Sequence, residues 1–158
     1  MPPESIPESS PAMSAARAVQ ALPTPNAAPR QTTSQVARAT RVLVVDDSAV
    51  IRILLDDVLS ALGYEVQVAE DGVSALAMMA ASRPDVVLTD LNMPQMDGFA
   101  LLAAMRDLPD LATLPVVVIS SEDGEAKQAR GKAEGVAGWI VKPFEPAELI
   151  EALWRLDL

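Results

Sequence analysis

The chain has 158 residues, about the length of one domain, and 50% of them are apolar although aromatic residues make up only 3%. It contains no cysteine and no histidine, which excludes disulfide bonds, thiolate or imidazole metal sites and catalysis by either side chain. The formal net charge of -10 would repel nucleic-acid phosphates, so we expect no nucleic-acid partner.

The beginning of the chain differs in composition from the rest. Residues 1–39 are rich in proline, alanine, serine and threonine, which predicts a disordered tail, whereas residues 40–158 predict a folded domain. No apolar run approaches the length of a membrane span. We therefore expect a cytoplasmic protein without membrane insertion.

From residue 41 onwards, short apolar runs of strand length alternate with segments of helical periodicity. In chain order these predict the strand Val42–Val45, the helix Ala49–Leu62, the strand Glu65–Ala69, the helix Val73–Ala81, the strand Val86–Thr89, the helix Phe99–Arg106, the strand Val116–Ile119, the helix Glu122–Glu134, the strand Trp139–Val141 and the helix Pro146–Leu156. Gly63 suits the C-terminal cap of the first helix, and Gly131 weakens the fourth. The alternation predicts an α/β fold, with a doubly wound five-stranded parallel sheet flanked by five helices.

Polar side chains follow four of the five predicted strands. Asp46 and Asp47 come after the first strand, Asp90 after the third, Ser120 after the fourth and Lys142 after the fifth. In parallel sheets, ligands bind beyond the carboxyl ends of the strands, so we expect these side chains to converge. Clustered carboxylates repel each other unless a cation lies among them, and Mg²⁺ favours carboxylate, water and phosphate oxygens. The pattern therefore predicts a magnesium site.

With a cation in place, one carboxylate could attack phosphorus and form an acyl phosphate. Asp90 is the predicted nucleophile, because it stands alone after the central strand whereas Asp46 and Asp47 form a pair. We expect Lys142 and the Ser120 hydroxyl to neutralise the charge on the transferred group. Each of these residues alone would be read as a turn former or a helix cap. It is their joint placement that indicates a site.

The motifs around these positions resemble those of response-regulator receiver domains, over about residues 41–158. The matching segments are VLVVDDS (42–48), RPDVVLTDLNMPQMDG (83–98), PVVVISSE (115–122) and GWIVKPF (138–144). The resemblance implies a flavodoxin-like strand order, 2-1-3-4-5, and a cis peptide bond between Lys142 and Pro143. It also implies a phosphoacceptor that catalyses its own phosphotransfer and dephosphorylation and is otherwise not an enzyme.

The resemblance carries over to the site position by position. Asp90 matches the phosphoacceptor, Asp47 the direct magnesium ligand and Asp46 the ligand that acts through water. Asn92 matches the position whose backbone carbonyl binds the ion, so the implied metal set includes Asp90 and Asn92. Lys142 matches the cation that meets the phosphoryl group.

A second group of positions matches the family's switch. Ser120 matches the hydroxyl that swings towards the phosphoryl group, and Trp139 stands at the aromatic switch position, where the ring would turn inward. Asn92 and Glu122 stand where the family tunes the lifetime of the acyl phosphate, and this pair implies rapid turnover.

The segment GVAGWIVKPFEPAELIEAL (135–153) is most similar to single-domain chemotaxis regulators of the CheY type. This likeness implies that a sensor histidine kinase supplies the phosphoryl group in a two-component relay for motility. The chain ends at Leu158, soon after the last predicted helix, so we expect a monomer whose output is the binding of a target protein. The expected target surface is the face formed by the helix Glu122–Glu134, the strand Trp139–Val141 and the helix Pro146–Leu156.

Several alternatives stay open. A stand-alone receiver could control a kinase or another output unrelated to motility. A magnesium-dependent phosphatase could use an Asp nucleophile, but Asn92 stands where such enzymes keep a general acid, and its amide cannot deliver a proton. Trp139 could be a core residue under the last helix. Lys127, Arg130 and Lys132 could meet an acidic partner or form a solvated charged face.

Overall fold

The computed structural model describes residues 39–156 and 158, and in this part strands and helices alternate along the chain. The elements are β1 (Arg41–Val45), α1 (Ala49–Ala61), β2 (Glu65–Ala69), α2 (Gly72–Ala81), β3 (Val86–Thr89), α3 (Gly98–Arg106), β4 (Val116–Ser120), α4 (Glu125–Ala133), β5 (Gly138–Val141) and α5 (Pro146–Arg155). The five strands and five helices match the predicted ones in type and order. The predicted tail, residues 1–39, lies outside the described residues except for Ala39, and it stays a prediction.

All five strands pair in parallel, in the order β2-β1-β3-β4-β5. The strand order reverses between β1 and β3, so the chain winds outwards from the centre in both directions. The predicted doubly wound α/β fold is thus confirmed. Strands β3 and β4 are buried along their whole length, because helices cover both faces of the sheet.

Apolar residues form a core on each face of the sheet, because successive strand residues point to opposite faces. On one face, Leu43 and Val45 of β1 pack in a cluster with residues of α2 and α3. On the other face, Val44 of β1 packs in a cluster with residues of α1 and α5. Among the described residues, none of the helices combines the length and apolar character needed to span a bilayer.

The predicted helix Glu122–Glu134 is wrong at its start, since α4 begins at Glu125. Residues 122–124 form a loop, in which the Glu122 carbonyl accepts the Trp139 Nε1–H at 3.0 Å instead of a helical N–H, while the Glu122 N–H donates to the Ser120 hydroxyl oxygen at 3.1 Å. Ser120 is itself the last residue of β4 rather than a residue beyond it, since it pairs with Val141 of β5. The loop between the two elements therefore carries Glu122.

Helices α2 and α3 each begin one residue earlier than predicted, at a glycine that follows an aspartate. Asp71 caps α2 by accepting the N–H of Ser74, and Asp97 caps α3 by accepting the N–H of Ala100. An aspartate at this position satisfies a backbone donor that the first helical turn leaves without a partner. The glycines that follow, Gly72 and Gly98, therefore belong to the helices.

Candidate functional site

Three aspartates meet at the carboxyl edge of the sheet. Asp46 and Asp47 follow β1 and Asp90 follows the neighbouring strand β3, where its N–H donates to the Val45 carbonyl at 2.8 Å. Each carboxylate offers an oxygen, and these oxygens lie within 4.8 Å of one another. Asp46 and Asp90 are buried, with 2% and 8% of their surface exposed, whereas Asp47 is open to solvent. The structure thus brings the three predicted carboxylates together.

Lys142 reaches this cluster from the end of β5. Its Nζ lies 2.9 Å from Asp46 Oδ2 and 3.4 Å from Asp90 Oδ2. The peptide bond between Lys142 and Pro143 is cis, as the resemblance implies. The Lys142 ammonium offsets only one of the three carboxylate charges, so the cluster keeps an excess of negative charge.

The pKa values of Asp90 and Lys142 are both raised, but for different reasons. Burial, reinforced by the charge of Asp46, raises the pKa of Asp90 above its ordinary value, although Lys142 and the Leu91 N–H act in the opposite direction. Burial by itself would lower the pKa of Lys142, but the hydrogen bond and charge of Asp46, together with Asp90, outweigh it and raise that pKa. Asp90 is therefore a carboxylate whose charge is costly to hold, beside an ammonium that keeps its proton.

The loop between β3 and α3 holds the Asp90 side chain by its backbone. Asp90 Oδ1 accepts the Leu91 N–H at 2.7 Å, and the Leu91 carbonyl accepts the Gly98 N–H at 2.8 Å. A Cβ on Gly98 would lie only 2.6 Å from the Asp90 carbonyl oxygen, so this position requires glycine. Thr89 adds a hydrogen bond from its hydroxyl to the same carbonyl at 2.8 Å. Sequence reasoning missed Gly98 and Thr89, because Gly98 precedes the predicted helix Phe99–Arg106 and Thr89 is only the last residue of a predicted strand.

Arg52 of α1 is a second residue that sequence reasoning missed. Its Nη1 donates to the Asp46 carbonyl at 2.7 Å, while Asp46 Oδ1 accepts the Ser48 N–H at 2.9 Å. These contacts hold the turn between β1 and α1 on both sides of the Asp46 side chain. The signal available in the sequence was a charged residue six positions after Asp46, between the apolar Ile51 and Ile53.

Ser120 ends β4, the strand next to β3, and Asn92 and Glu122 lie in the loops that follow β3 and β4. Ser120 is fully buried, with 0% of its surface exposed, and its hydroxyl oxygen accepts the Glu122 N–H. Asn92 Nδ2 lies 3.5 Å from Glu122 Oε2, and Lys127 Nζ lies 3.6 Å from Glu122 Oε1. The side chains of Asn92 and Glu122, which sequence reasoning paired, therefore meet across the two loops.

Trp139 lies on the side of α3 and α4, so its placement under the last helix, which the sequence left open, is wrong. Its indole ring lies 6.4 Å from the Phe99 ring at an angle of 43°, and its Nε1 donates to the Glu122 carbonyl at 3.0 Å. The next residue, Ile140, packs instead in the cluster that contains α5 residues. Alternation along β5 explains this, because neighbouring residues point to opposite faces.

The donor set fits a hard divalent cation. Three carboxylates within reach of one another, one of them exposed to solvent, supply the oxygen ligands that Mg²⁺ prefers and leave room for water or phosphate oxygens. The excess of negative charge would be offset by such an ion.

Comparison with known proteins gives a consistent result. Residues 42–154 match the family model of the response regulator receiver domain. The chemotaxis protein CheY4 of Vibrio cholerae has a similar structure, with 41% sequence identity and a TM-score of 0.72, covering 75% of this chain and 98% of that one.

Two curated relatives extend the comparison. Response regulator PleD of Caulobacter vibrioides is 40% identical over 121 residues, which are 75% of this chain and 27% of PleD. Protein PilG of Pseudomonas aeruginosa is 34% identical over 113 residues, which are 72% of this chain and 84% of PilG. The chain thus spans about a quarter of the length of PleD and most of the length of PilG.

Proposed function

The chain belongs to the response regulator receiver domain family, and on this premise we propose that Asp90 accepts a phosphoryl group in a two-component His-to-Asp relay. Receiver domains are phosphoacceptors in signalling rather than metabolic enzymes. The phosphodonor in this proposal is a sensor histidine kinase, and the protein acts in the cytoplasm. The observation that carries the proposal is the convergence of Asp46, Asp47, Asp90 and Lys142 at one edge of the sheet.

The geometry suits Asp90 for nucleophilic attack. Its Oδ1 is held by the Leu91 N–H, while its Oδ2 faces the Lys142 ammonium. Attack by the carboxylate would form a bond to phosphorus while the bond from phosphorus to the donor nitrogen breaks. Lys142 is then placed to pair with an oxygen of the transferred group, and the Ser120 hydroxyl is the proposed second donor.

Asp46, Asp47, Asp90 and the backbone carbonyl of Asn92 are the proposed ligands of Mg²⁺. The bound ion would offset the charge of the carboxylates and of the incoming phosphoryl oxygens. Asp47 contributes an exposed carboxylate, whereas the buried Asp46 is held in place by the Ser48 N–H and by Lys142.

The first prediction concerns the phosphorylation site. Incubation with a small acyl phosphate and Mg²⁺ should add one phosphoryl group to the protein by mass, and Asp90→Asn should add none, because an amide oxygen is a poor nucleophile. Removal of Mg²⁺ with a chelator should abolish the adduct as well.

Asp123→Asn is the matched control, because Asp123 lies exposed in the loop after β4 and outside the carboxylate cluster. It should take up phosphoryl like the original protein. An adduct that persists in Asp90→Asn would sink the assignment of the site.

Asn92 and Glu122 are proposed to shorten the lifetime of the acyl phosphate. Their side chains meet beside the cluster, where they can control the approach of water to the phosphoryl group. An adduct lifetime that is unaltered in Glu122→Ala would remove this part of the proposal.

The proposed output is the phosphorylation-dependent binding of a target protein by a monomer, in chemotaxis or motility. The likeness to CheY4, which covers 98% of that chain, supports this context. The proposed target surface is formed by α4, β5 and α5, where one groove is lined by Gln128 and Lys132 and a second by Glu148 and Arg155. The acidic composition supports a protein partner rather than nucleic acid. Unchanged swimming or twitching in a strain that lacks this protein would count against the proposed role in motility.

A receiver that controls an output unrelated to motility is the second candidate. The observation in its favour is that PleD, whose name says response regulator without mention of chemotaxis, is about as similar to this chain as CheY4 is, although the matched part is only 27% of PleD. A binding partner that is itself a kinase or another signalling enzyme would favour this candidate. The phosphatase alternative lacks such support, because Asn92 meets Glu122 through its amide and offers no acidic proton.

A further inference from the structure

We propose that Gly131 is a positioning residue, whose missing side chain sets the orientation of the Trp139 ring and thereby the loop that carries Glu122, whose N–H donates to the Ser120 hydroxyl. The part of this inference that concerns phosphorylation rests on the proposed function. The part that concerns the position of the ring does not.

Gly131 leaves a notch on α4 that the Trp139 ring fills. A Cβ built on Gly131 would lie 2.9 Å from Trp139 Cζ3, closer than such atoms approach, and 3.2 Å from Cε3, which is tighter than an ordinary contact. The backbone of Gly131 has no need of glycine, because its φ lies outside the left-handed region, whereas Gly135 has a φ of 89° and follows the C-cap residue of the helix. Glycine is a poor helix former, so the space for the ring is what accounts for its presence.

Two further contacts hold the ring against this notch. The Nε1 of Trp139 donates to the Glu122 carbonyl at 3.0 Å, which fixes the edge of the indole. Phe99 packs beside the indole, and the Arg130 guanidinium lies 4.1 Å from the centre of the Phe99 ring. The indole is therefore bounded by α4, by the loop after β4 and by Phe99, so a side chain added at position 131 must displace it.

Displacement of the Trp139 ring would shift Glu122, which contacts residues of the proposed site. The carbonyl of Glu122 holds the indole, its N–H holds the Ser120 hydroxyl, and its carboxylate meets Asn92. We expect a change at Gly131 to reach the Ser120 hydroxyl and the Glu122 carboxylate without altering any member of the carboxylate cluster. A substitution at Gly131 therefore tests the effect of the Trp139 ring position while the proposed metal ligands stay unchanged.

The first test is a double-mutant cycle on thermal stability in the unphosphorylated protein. Gly131→Ala should lower Tm by about 2–4 °C when Trp139 is present, because the methyl group collides with the ring. In the Trp139→Leu background the same change should raise Tm, because alanine is the better helix former and the notch is empty. A rise in Tm in both backgrounds would overturn the proposal.

The second test follows the ring directly. In a Trp154→Phe background Trp139 is the remaining tryptophan, and Gly131→Ala should move its emission to longer wavelength and make it more accessible to a neutral quencher. The exposed Ala133, also on α4 but outside the groove that Trp139 lines, supplies the control Ala133→Ser, which should leave the emission as it was. Emission that is unchanged or moves to shorter wavelength in Gly131→Ala contradicts the inference.

The third test uses the acyl phosphate on Asp90. Gly131→Ala should change its lifetime by about twofold or more, in the same direction as Trp139→Leu, whereas a purely structural glycine would leave the lifetime unaltered. An unaltered lifetime would remove the link to the site. If neither protein takes up phosphoryl, the proposed function fails, but the stability cycle and the emission still decide the role of Gly131.

Discussion

At the scale of single residues, the surroundings of Asp90 disfavour its ionised form. Burial and the neighbouring Asp46 raise its pKa, and the Lys142 ammonium compensates only in part. Because the pKa in the folded protein is raised above the ordinary value of 3.8, folding favours the protonated form. The favourable contribution of Asp90 to the free energy of unfolding is therefore complete below its ordinary pKa. It is lost as the pH rises through the raised pKa of the folded protein.

We therefore predict that Asp90→Asn stabilises the protein at neutral pH when no divalent cation is added. The amide carries no charge at any pH, so Tm should rise by about 2–4 °C at pH 7.5. The gain should shrink as the pH falls towards the ordinary pKa. Thermal melts in the presence of a chelator at several pH values would measure this, with the exposed Asp123→Asn as the control. A gain that is constant with pH would contradict the electrostatic explanation.

At the scale of the elements, the site depends on how tightly α3 approaches the end of β3. The first residue of α3, Gly98, lies so close to the chain that a Cβ would meet the Asp90 carbonyl oxygen at 2.6 Å and the Leu91 Cα at 3.0 Å. Both of these neighbours are backbone atoms that cannot move independently. The helix α3 and the loop that carries Asp90 therefore act as one packed unit.

Gly98→Ala should for this reason destabilise the protein by about 2 kcal/mol and lower the yield of phosphoryl adduct at Asp90. Gly138→Ala is the matched control, because Gly138 lies in β5 and a Cβ there would lie 3.6 Å from the Val117 side chain, an ordinary contact. Its effect on the free energy of unfolding should stay within about 0.5 kcal/mol. Chemical denaturation measures both. Equal effects of the two changes would show that the close approach at Gly98 is unimportant.

At the scale of the whole molecule, the carboxylates of the site come from the ends of different strands. Asp46 and Asp47 follow β1, Asp90 follows β3, and Lys142 follows β5, which is the outermost strand on its side of the sheet. This arrangement exists only when the sheet is assembled. A cation that binds these carboxylates must therefore stabilise the folded chain as a whole.

The prediction at this scale is that Mg²⁺ raises Tm. At a concentration ten times the Kd, the stabilisation should reach about 1.4 kcal/mol. Asp47→Asn should lose most of this gain, because it removes one proposed ligand, whereas Asp57→Asn on the exposed side of α1 should keep it. Calorimetry with and without Mg²⁺ measures the difference. A gain that is equal in the two variants would exclude Asp47 as a ligand.

The sequence by itself determined the fold and the set of side chains that meet at its edge. Periodicity marks strands and helices through local preferences, and strict alternation leaves a parallel sheet as the arrangement that buries the apolar strands on both faces. Because the carboxyl ends of parallel strands share one edge, Asp46, Asp47, Asp90 and Lys142 had to be neighbours, and the structure places them so.

Only the tertiary structure decided which groups touch and which spaces are filled. Gly131 reads in the sequence as a weak point of a helix, yet it faces the ring of Trp139 from the next strand. The start of α4 differs from the predicted one because the Glu122 carbonyl accepts the Trp139 Nε1–H instead of a helical N–H. Such contacts join residues whose separation in the chain bears no relation to local periodicity. They depend on the close packing of side chains, which no local pattern in the chain encodes.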